Sequence, residues 1–492
     1  MSRLFSALIL AASLAACSTM EPAYQRPEAP VSPGFPTGAS YKDAGGNPNS
    51  PPASETGWRN FMQDARLQRL VEIALANNRD LRVAALNVRE AQAQYRIQRS
   101  ALFPQVAAFA DASQQRTPGS LRTPGTPNAN GGALITRQYE AGVSAAWTID
   151  FFGRLRSMSD AQLQIYFATA YARQALEILL VSQVADQYLT MLAFDEQLVV
   201  TRQTLANAQE AYKIVKLQFD TGTAPELTLQ QSLSVVEQAN ANLEAQIRAR
   251  AQAENALVLL LGQPLPADLP PVVRLDDQKI LTDVPAGLPS DLLTRRPDIL
   301  QAEAMLRSEN ANIGAARAAF FPTISLTGSL GTASAALSGL FGAGSLAWAF
   351  LPSISVPIFE GGALRANLDL ATLQKDVGVA QYEKAIQTAF REVADGLAGR
   401  GTFDEQVAAQ VRFTATQQRS LDLAWFRYRN GVDNYLTVLT AQTGLYNAQL
   451  MLVTARMQRL ANLVDLYRAL GGGWIQNTGD TPRVAADEGL PR

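Results

Sequence analysis

The chain is 492 residues long, with a formal net charge of −2, 47% hydrophobic residues and 17% charged residues. That length admits several ordinary domains, and the near-neutral balance leaves no electrostatic footprint for nucleic acid. Histidine is absent and cysteine occurs once, at Cys17. Every Ser-His or Cys-His mechanism, any intrachain disulfide and any thiolate metal cluster is therefore excluded. No serine–lysine or paired-carboxylate motif stands out, so neither an enzyme activity nor a metal or other cofactor is expected. No apolar run of 18 or more residues follows the N-terminus, so no helix is expected to span a bilayer.

Residues 1–16 carry one early charge, Arg3, then an apolar stretch over 4–12, then Leu14-Ala15-Ala16 ahead of Cys17. A short charged start, a short apolar middle and small residues before a cut site describe a secretory signal. The Leu-Ala-Ala-Cys ending resembles the bacterial lipobox, whose cysteine is lipidated and becomes the first residue of the mature chain. The alternative is an ordinary cysteine buried in a core helix. Ser18 follows in place of aspartate, which by this resemblance implies sorting to the outer membrane. Acyl chains contribute ~0.8 kcal/mol per buried methylene. Residues 17–57, rich in Pro, Gly, Ser and Asn, read as a lipidated, extended and mostly irregular tether.

From 58 to 262 the pattern reads as a helix, two strands, a very long helix, a turn and a second long helix. The strands are expected over 103–113 and 139–149, where small, polar and apolar residues roughly alternate. Segments of about ten residues with aromatic ends suit transmembrane β-strands. The stretch from 157 to 219 contains no proline or glycine and predicts about 95 Å of helix. Val184, Met191, Leu198, Leu205, Tyr212 and Phe219 recur in it at seven-residue spacing, the mark of coiled-coil packing. Helical periodicity alone also fits an ordinary bundle.

A linker over 263–287 leads to a second copy over 288–474. Its strands are expected over 321–332 and 346–359 and its long helices over 361–470, with a flexible tail at 475–492. Leu102-Phe103-Pro104 matches Phe320-Phe321-Pro322, and Leu260-Leu261-Gly262 matches Ala469-Leu470-Gly471. Repeats this long indicate a duplication rather than a solenoid. In the third strand Ile324, Leu326 and Leu330 alternate with Thr323, Ser325, Thr327 and Ser329. The loops at 117–130 and 333–344 look small and polar, suited to an exterior. Four strands cannot close a barrel, an open edge in lipid leaves backbone groups unpaired, and bacterial barrels begin at eight strands. Several chains must then share one barrel, and three copies would give twelve strands.

These segments resemble a known family. Leu288-Pro289-Ser290-Asp291-Leu292-Leu293, followed by Arg295-Arg296-Pro297-Asp298-Ile299, is similar to the signature of NodT-type lipoproteins of the TolC-like outer membrane factor family. So are the ending Leu466-Tyr467-Arg468-Ala469-Leu470-Gly471-Gly472-Gly473-Trp474 and the junction Pro357-Ile358-Phe359-Glu360-Gly361-Gly362. The resemblance implies an α+β membrane protein, a homotrimer whose twelve-strand outer-membrane barrel continues as a periplasmic helical barrel. It implies outer membrane lipids, a periplasmic adaptor and an inner-membrane pump of the resistance-nodulation-division (RND) class as partners. The expected function is passive conduction of drugs or other small molecules, with the exit duct of a type I protein secretion system as the alternative.

The site residues follow from the same reading. Cys17 is the expected lipidation site. The turns holding Thr221, Gly222, Thr223, Ala224 and Asn430, Gly431, Val432 are plain turns on their own evidence, each glycine permitting a positive φ; by resemblance they are the adaptor-binding tips. Pro225 is expected in the first turn of the next helix. Relatives often carry an acidic ring just beyond the second tip, at positions held here by Thr437 and Thr440, with Asp433 one turn earlier. This departure puts a cation-selective constriction in doubt. Gly153, Pro357, Gly361 and Gly362 mark the barrel-to-helix junction. Trp147, Phe151, Phe152, Trp348, Phe350 and Phe359 fit aromatic girdles or core packing equally.

Overall fold

The computed structural model describes residues 19–41, 50–118, 133–282, 285–287 and 289–480. The signal segment, Cys17, most of the 117–130 loop and the end of the chain lie outside them. Helices and strands follow in the order α1 (Trp58–Phe61), α2 (Ala65–Asn77), α3 (Arg79–Ser100), β1 (Gln105–Thr117), β2 (Leu134–Ile149), α4 (Arg154–Asp220) and α5 (Glu226–Leu261). Then come α6 (Pro289–Arg295), α7 (Pro297–Ala318), β3 (Thr323–Ser334), β4 (Leu346–Ser355), α8 (Ala363–Arg429) and α9 (Tyr435–Ala469). From α2 onward the succession of the first half recurs in the second. α3 and α7 both have 22 residues and α4 and α8 both have 67, so the two halves match in length as well as in type.

The chain folds as two compact units. The first comprises residues 1–26, 89–166 and 303–380 and contains the sheet. Its four strands are antiparallel in the order β1-β2-β3-β4. Successive side chains alternate between faces, and the register sorts them by polarity. Ala108, Val143, Leu330 and Trp348 form one row across all four strands, Val106, Ala145, Gly328 and Phe350 the next, and Ile149, Ile324 and Ile354 a third. On the opposite face Thr148, Ser325 and Ser353 align, and the last two hydroxyls meet at 2.7 Å. Gly142 faces Gly331, where a Cβ on either would collide with the neighbouring backbone.

The second unit comprises residues 27–88, 167–302 and 381–492. Its interior holds Tyr188, Leu189, Leu257, Leu261, Tyr382, Val393 and Val464, all essentially inaccessible. The Tyr467 hydroxyl donates to the Thr56 carbonyl at 2.5 Å, and its ring stacks on Phe61. A Cβ at Gly472 would overlap the Tyr467 ring, which accounts for the middle glycine of the Gly-Gly-Gly-Trp ending. The linker crosses this unit: Ile280 bridges to Met62, Leu275 is buried, and Asp276 pairs with Arg456 at 2.7 Å.

Several boundaries differ from expectation. β4 stops at Ser355, which pairs with Thr323, the first residue of β3; beyond it no partner remains, and Pro357 has no N–H to offer. β1 and β2 extend further outward than expected, because they pair with each other as far as Thr117 and Leu134. The segment after β3 is not small and polar: it exposes Leu337 and Phe341. The start of the expected flexible tail is held in place, since Ile475 is buried and its carbonyl accepts from Trp58 N at 3.0 Å. The tether lacks regular structure over 19–26 but is fastened there, and Ala53 and Thr56 at its other end are buried.

Candidate functional site

The two helix-to-helix turns share one backbone design. After α4, Thr223 N donates to the Gln218 carbonyl at 2.8 Å and Gly222 N to the Phe219 carbonyl at 2.9 Å. After α8, Val432 N donates to the Arg427 carbonyl and Gly431 N to the Tyr428 carbonyl, both at 3.0 Å. This pair of 6→1 and 5→2 bonds is the Schellman motif, which demands a left-handed residue at its centre. Gly222 has φ +75° and Gly431 φ +71°. Thr221 and Thr223 direct their hydroxyls to carbonyls of the last turn of α4. Pro225 is the N-cap of α5, one position ahead of the expected first turn; its fixed φ suits that extended conformation.

Beneath the turns the four helix ends pack together. Val215, Leu421, Ala424, Tyr435, Val438, Leu439 and Leu445 are buried in one cluster, with Trp425 and Tyr428 against it. The rings of Tyr428 and Tyr435 lie 5.2 Å apart, and the Tyr428 hydroxyl donates to Gln218 Oε1 at 2.9 Å. Burial, reinforced by Tyr428, pushes the Tyr435 phenol up to about 12, so it stays neutral. Thr221, Gly222, Thr223, Asn430, Gly431 and Val432 are exposed, and Ala224 is half-buried. The two exposed loops thus stand over one packed base, whose aromatic rings come from α8 and α9.

The expected constriction residues are held differently. Asp433 is gripped by Arg427 through two bonds of 2.6 and 2.9 Å, which hold its carboxyl below the usual carboxylate range. Within one chain the charge expected of Asp433 is matched by a cation six residues earlier. Thr437 and Thr440 are exposed on α9. Asn434 caps that helix by accepting from Thr437 N at 3.3 Å, and the Thr440 hydroxyl donates back to the Leu436 carbonyl at 2.9 Å.

The junction residues flank the sheet in the first unit. Gly153 has φ +75°, and Gly361 and Gly362 have φ +59° and +91°. The first junction contains a device that the sequence reading missed. Asp150 accepts from Leu155 N at 3.1 Å and Arg156 N at 2.9 Å, and its Oδ2 takes a further bond from Arg156 Nε at 3.3 Å. A carboxylate on orphan amides at a helix start is favoured by the helix dipole, so Asp150 fixes the angle at which α4 leaves β2. The expected girdle residues divide. Phe152 is half-buried and stacks on Phe321, whereas Trp147, Phe151, Trp348, Phe350 and Phe359 are exposed, the Trp147 indole donating to the Leu102 carbonyl at 3.0 Å. Cys17 lies outside the described residues. Among the described residues no group of three or more acidic, cysteine or histidine side chains is placed to hold a metal ion, and no helix is long and apolar enough to cross a membrane.

A family model described as outer membrane efflux protein matches residues 70–263 and again 288–472. The toluene efflux pump outer membrane protein TtgC of Pseudomonas putida is 45% identical over 487 residues, 99% of this chain and 98% of that one. The outer membrane protein OprJ of Pseudomonas aeruginosa is 44% identical over 470 residues, 95% of each chain. Among solved structures, the open state of the MtrE outer membrane channel of Neisseria gonorrhoeae superposes with a TM-score of 0.82 at 37% identity, covering 94% of this chain and all of that one.

Proposed function

Because this chain belongs to the outer membrane efflux protein family, we propose that it is the outer-membrane channel of a tripartite efflux system. Three copies form a passive duct for drugs or other small molecules, from an inner-membrane pump of the RND class and a periplasmic adaptor to the cell exterior. The relatives at full length are named as outer-membrane components of efflux pumps, which favours small-molecule efflux over protein secretion.

The single observation that carries the duct is the sorted sheet. Over the central rows one face carries Val143, Trp147, Leu326, Leu330, Trp348 and Phe350 and the other Ser144, Thr148, Ser325, Thr327, Ser329 and Ser353, while β1 and β4 are edges. Lipid tolerates an apolar outer face but not an unpaired edge. Pairing β4 of one copy with β1 of the next closes a twelve-strand barrel with its polar face inward. The twofold succession of elements supports a duplication, in which each half supplies one hairpin and one pair of long helices. Cys17 carries the lipid anchor. The two tips dock the adaptor, and the chain itself performs no chemistry.

The test is cross-linking in intact cells followed by affinity capture of the tagged protein and mass spectrometry. Recovery of an adaptor together with a proton-driven inner-membrane pump is the expected outcome. Capture of an ATP-driven transporter in its place would move the assignment to protein or peptide secretion, and capture of neither would leave the duct without a motor.

A further inference from the structure

Residues 19–26 form neither helix nor strand, yet they are held along α7 at regular steps. Arg26 grips Glu303 through two parallel bonds, Nε to Oε1 at 3.1 Å and Nη2 to Oε2 at 2.8 Å. The Tyr24 hydroxyl donates to the same Oε1 at 3.3 Å, and the Arg307 guanidinium lies 4.7 Å from the centre of the Tyr24 ring. Farther along, Asn310 Nδ2 donates to the Pro22 carbonyl at 2.8 Å, and Arg317 Nη1 reaches the Met20 carbonyl at 3.3 Å. Extended chain from 26 to 20 advances about 20 Å at ~3.3 Å per residue. Helix from 303 to 317 rises about 21 Å at ~1.5 Å per residue. The two run antiparallel with matched spans, so the contacts recur without slack.

The seat is built for this occupant. With the segment seated, Glu303 is 3% exposed and Asn310 4%; its departure would strip Glu303 of the Arg26 and Tyr24 bonds, leaving only Arg307, and Asn310 of the Pro22 carbonyl. Gly314 sits inside α7, where glycine costs ~1 kcal/mol relative to alanine; a Cβ there would collide with Glu21 and with Ser157 of α4. The segment ends with Thr19 against Gly153, closely enough that a Cβ on that glycine would overlap the Thr19 backbone.

We propose that residues 19–26 are a docking strap whose seating on α7 pins the lipid-bearing end of the chain beside Gly153, at the turn from β2 into α4. The proposal rests on the reading of Cys17 as acylated. Cys17 stands two residues before Thr19, at most about 7 Å of chain, so a seated strap leaves the anchor no choice of level along the protein. The acyl chain supplies membrane affinity, and the strap decides which part of the fold receives it. The strap also joins the first half, at Gly153 and Ser157, to the last turns of α7 in the second.

A benzophenone amino acid at position 19 of the full-length protein, irradiated in native outer membranes and mapped by mass spectrometry, tests this. The peptide containing residues 152–154 is expected as the main cross-linked product. Gly314→Leu, which fills the strap's seat, lowers that yield at least five-fold. Tyr24→Ala with Arg26→Ala, which alters the strap and spares every helix, does the same. Radiolabelled palmitate is incorporated equally in all three proteins. Cross-links mainly to lipid or to other peptides in the otherwise wild-type protein would overturn the strap, as would an undiminished yield in the Tyr24/Arg26 variant. A missing palmitate label with the 152–154 cross-link intact would overturn the anchor placement through its premise alone, and the conduit reading would stand.

Discussion

Arg296 and Ala469 are 173 positions apart and meet through one bond, Nη1 of the arginine donating to the alanine carbonyl at 2.9 Å. The same guanidinium, 6% exposed, holds Asp298 at 2.6 Å and Glu392 at 2.9 Å. The first half has its counterpart in Asn78, whose Nδ2 donates to the Leu260 carbonyl at 2.9 Å. In both halves the residue just ahead of the strand-bound helix fastens the last turn of the final helix. A positive-φ glycine, Gly262 or Gly471, follows each.

Removing the arginine strands a buried carbonyl and leaves Glu392 without its closest cation. Arg296→Ala is expected to cost about 3 kcal/mol, and Asn78→Ala about 1 to 2 kcal/mol. Thermal unfolding of the purified protein measures both. An Arg296→Ala protein melting within a degree of the wild type would show that the clasp contributes nothing.

The tip turns need their left-handed glycines. Gly222→Val and Gly431→Val each force a β-branched residue into a strained region at a cost of roughly 1 to 3 kcal/mol, confined to exposed loops with open space around them. The double variant should therefore still assemble as trimers, while dye and antibiotic export falls several-fold. Unchanged export in a correctly assembled double variant would remove the tips from the docking role.

Stability should depend on pH through Asp186. Burial, followed by the Asp465 charge and opposed by Arg468, pushes its carboxyl up to about 7 from 3.8, and its Oδ1 has no hydrogen-bond partner. The folded protein thus keeps a proton that the unfolded chain has released. Its contribution is fully present below 3.8 and is lost as pH rises through about 7. Asp186→Asn should melt a few degrees above the wild type at pH 8 and no higher than it at pH 4. An equal difference at both values would mean that Asp186 does not titrate in this window.

The Arg427–Asp433 pair leaves the second tip without a free carboxylate on Asp433. Arg427→Gln should unmask it. In planar bilayers, block by a trivalent cation added from the tip side is then expected at a concentration at least ten-fold lower than for the wild type. Arg427→Gln with Asp433→Asn should restore wild-type insensitivity. Strong block of the wild type would show that the pair does not neutralise the entrance.

Legibility from sequence followed the range of the interaction. Gly222 and Gly431 declare their turns because only glycine adopts that φ cheaply, and the alternation of Ile324, Leu326 and Leu330 with serine and threonine declares a sorted strand. Neither needs a distant partner. The end of β4 was misplaced because it depends on where β3 begins. Asp150 was missed as a helix cap because its target amides, Leu155 and Arg156, lie beyond Phe151, Phe152 and Gly153, outside the usual local spacing. Arg427 and Asp433 meet only once the intervening turn has folded. The strap was least legible: Arg26 and Glu303 are 277 positions apart, and Thr19-Met20-Glu21-Pro22-Ala23-Tyr24-Gln25-Arg26 has no periodicity to say what will bind it.

The tips close chiefly on main-chain bonds and one glycine apiece, with Thr221 and Asn430 adding side-chain bonds to the preceding turn, so their shape asks almost nothing of Ala224 or Val432. Those two side chains are free to change without unmaking the frame that displays them. With the tips docking an adaptor as proposed, descendants of this chain could suit a new periplasmic companion by altering only the facing of the turn, while the aromatic base of Trp425, Tyr428 and Tyr435 stays untouched. Under the docking role proposed for the tips, partner choice and architectural integrity would be written in different residues, and evolution could edit one without rereading the other.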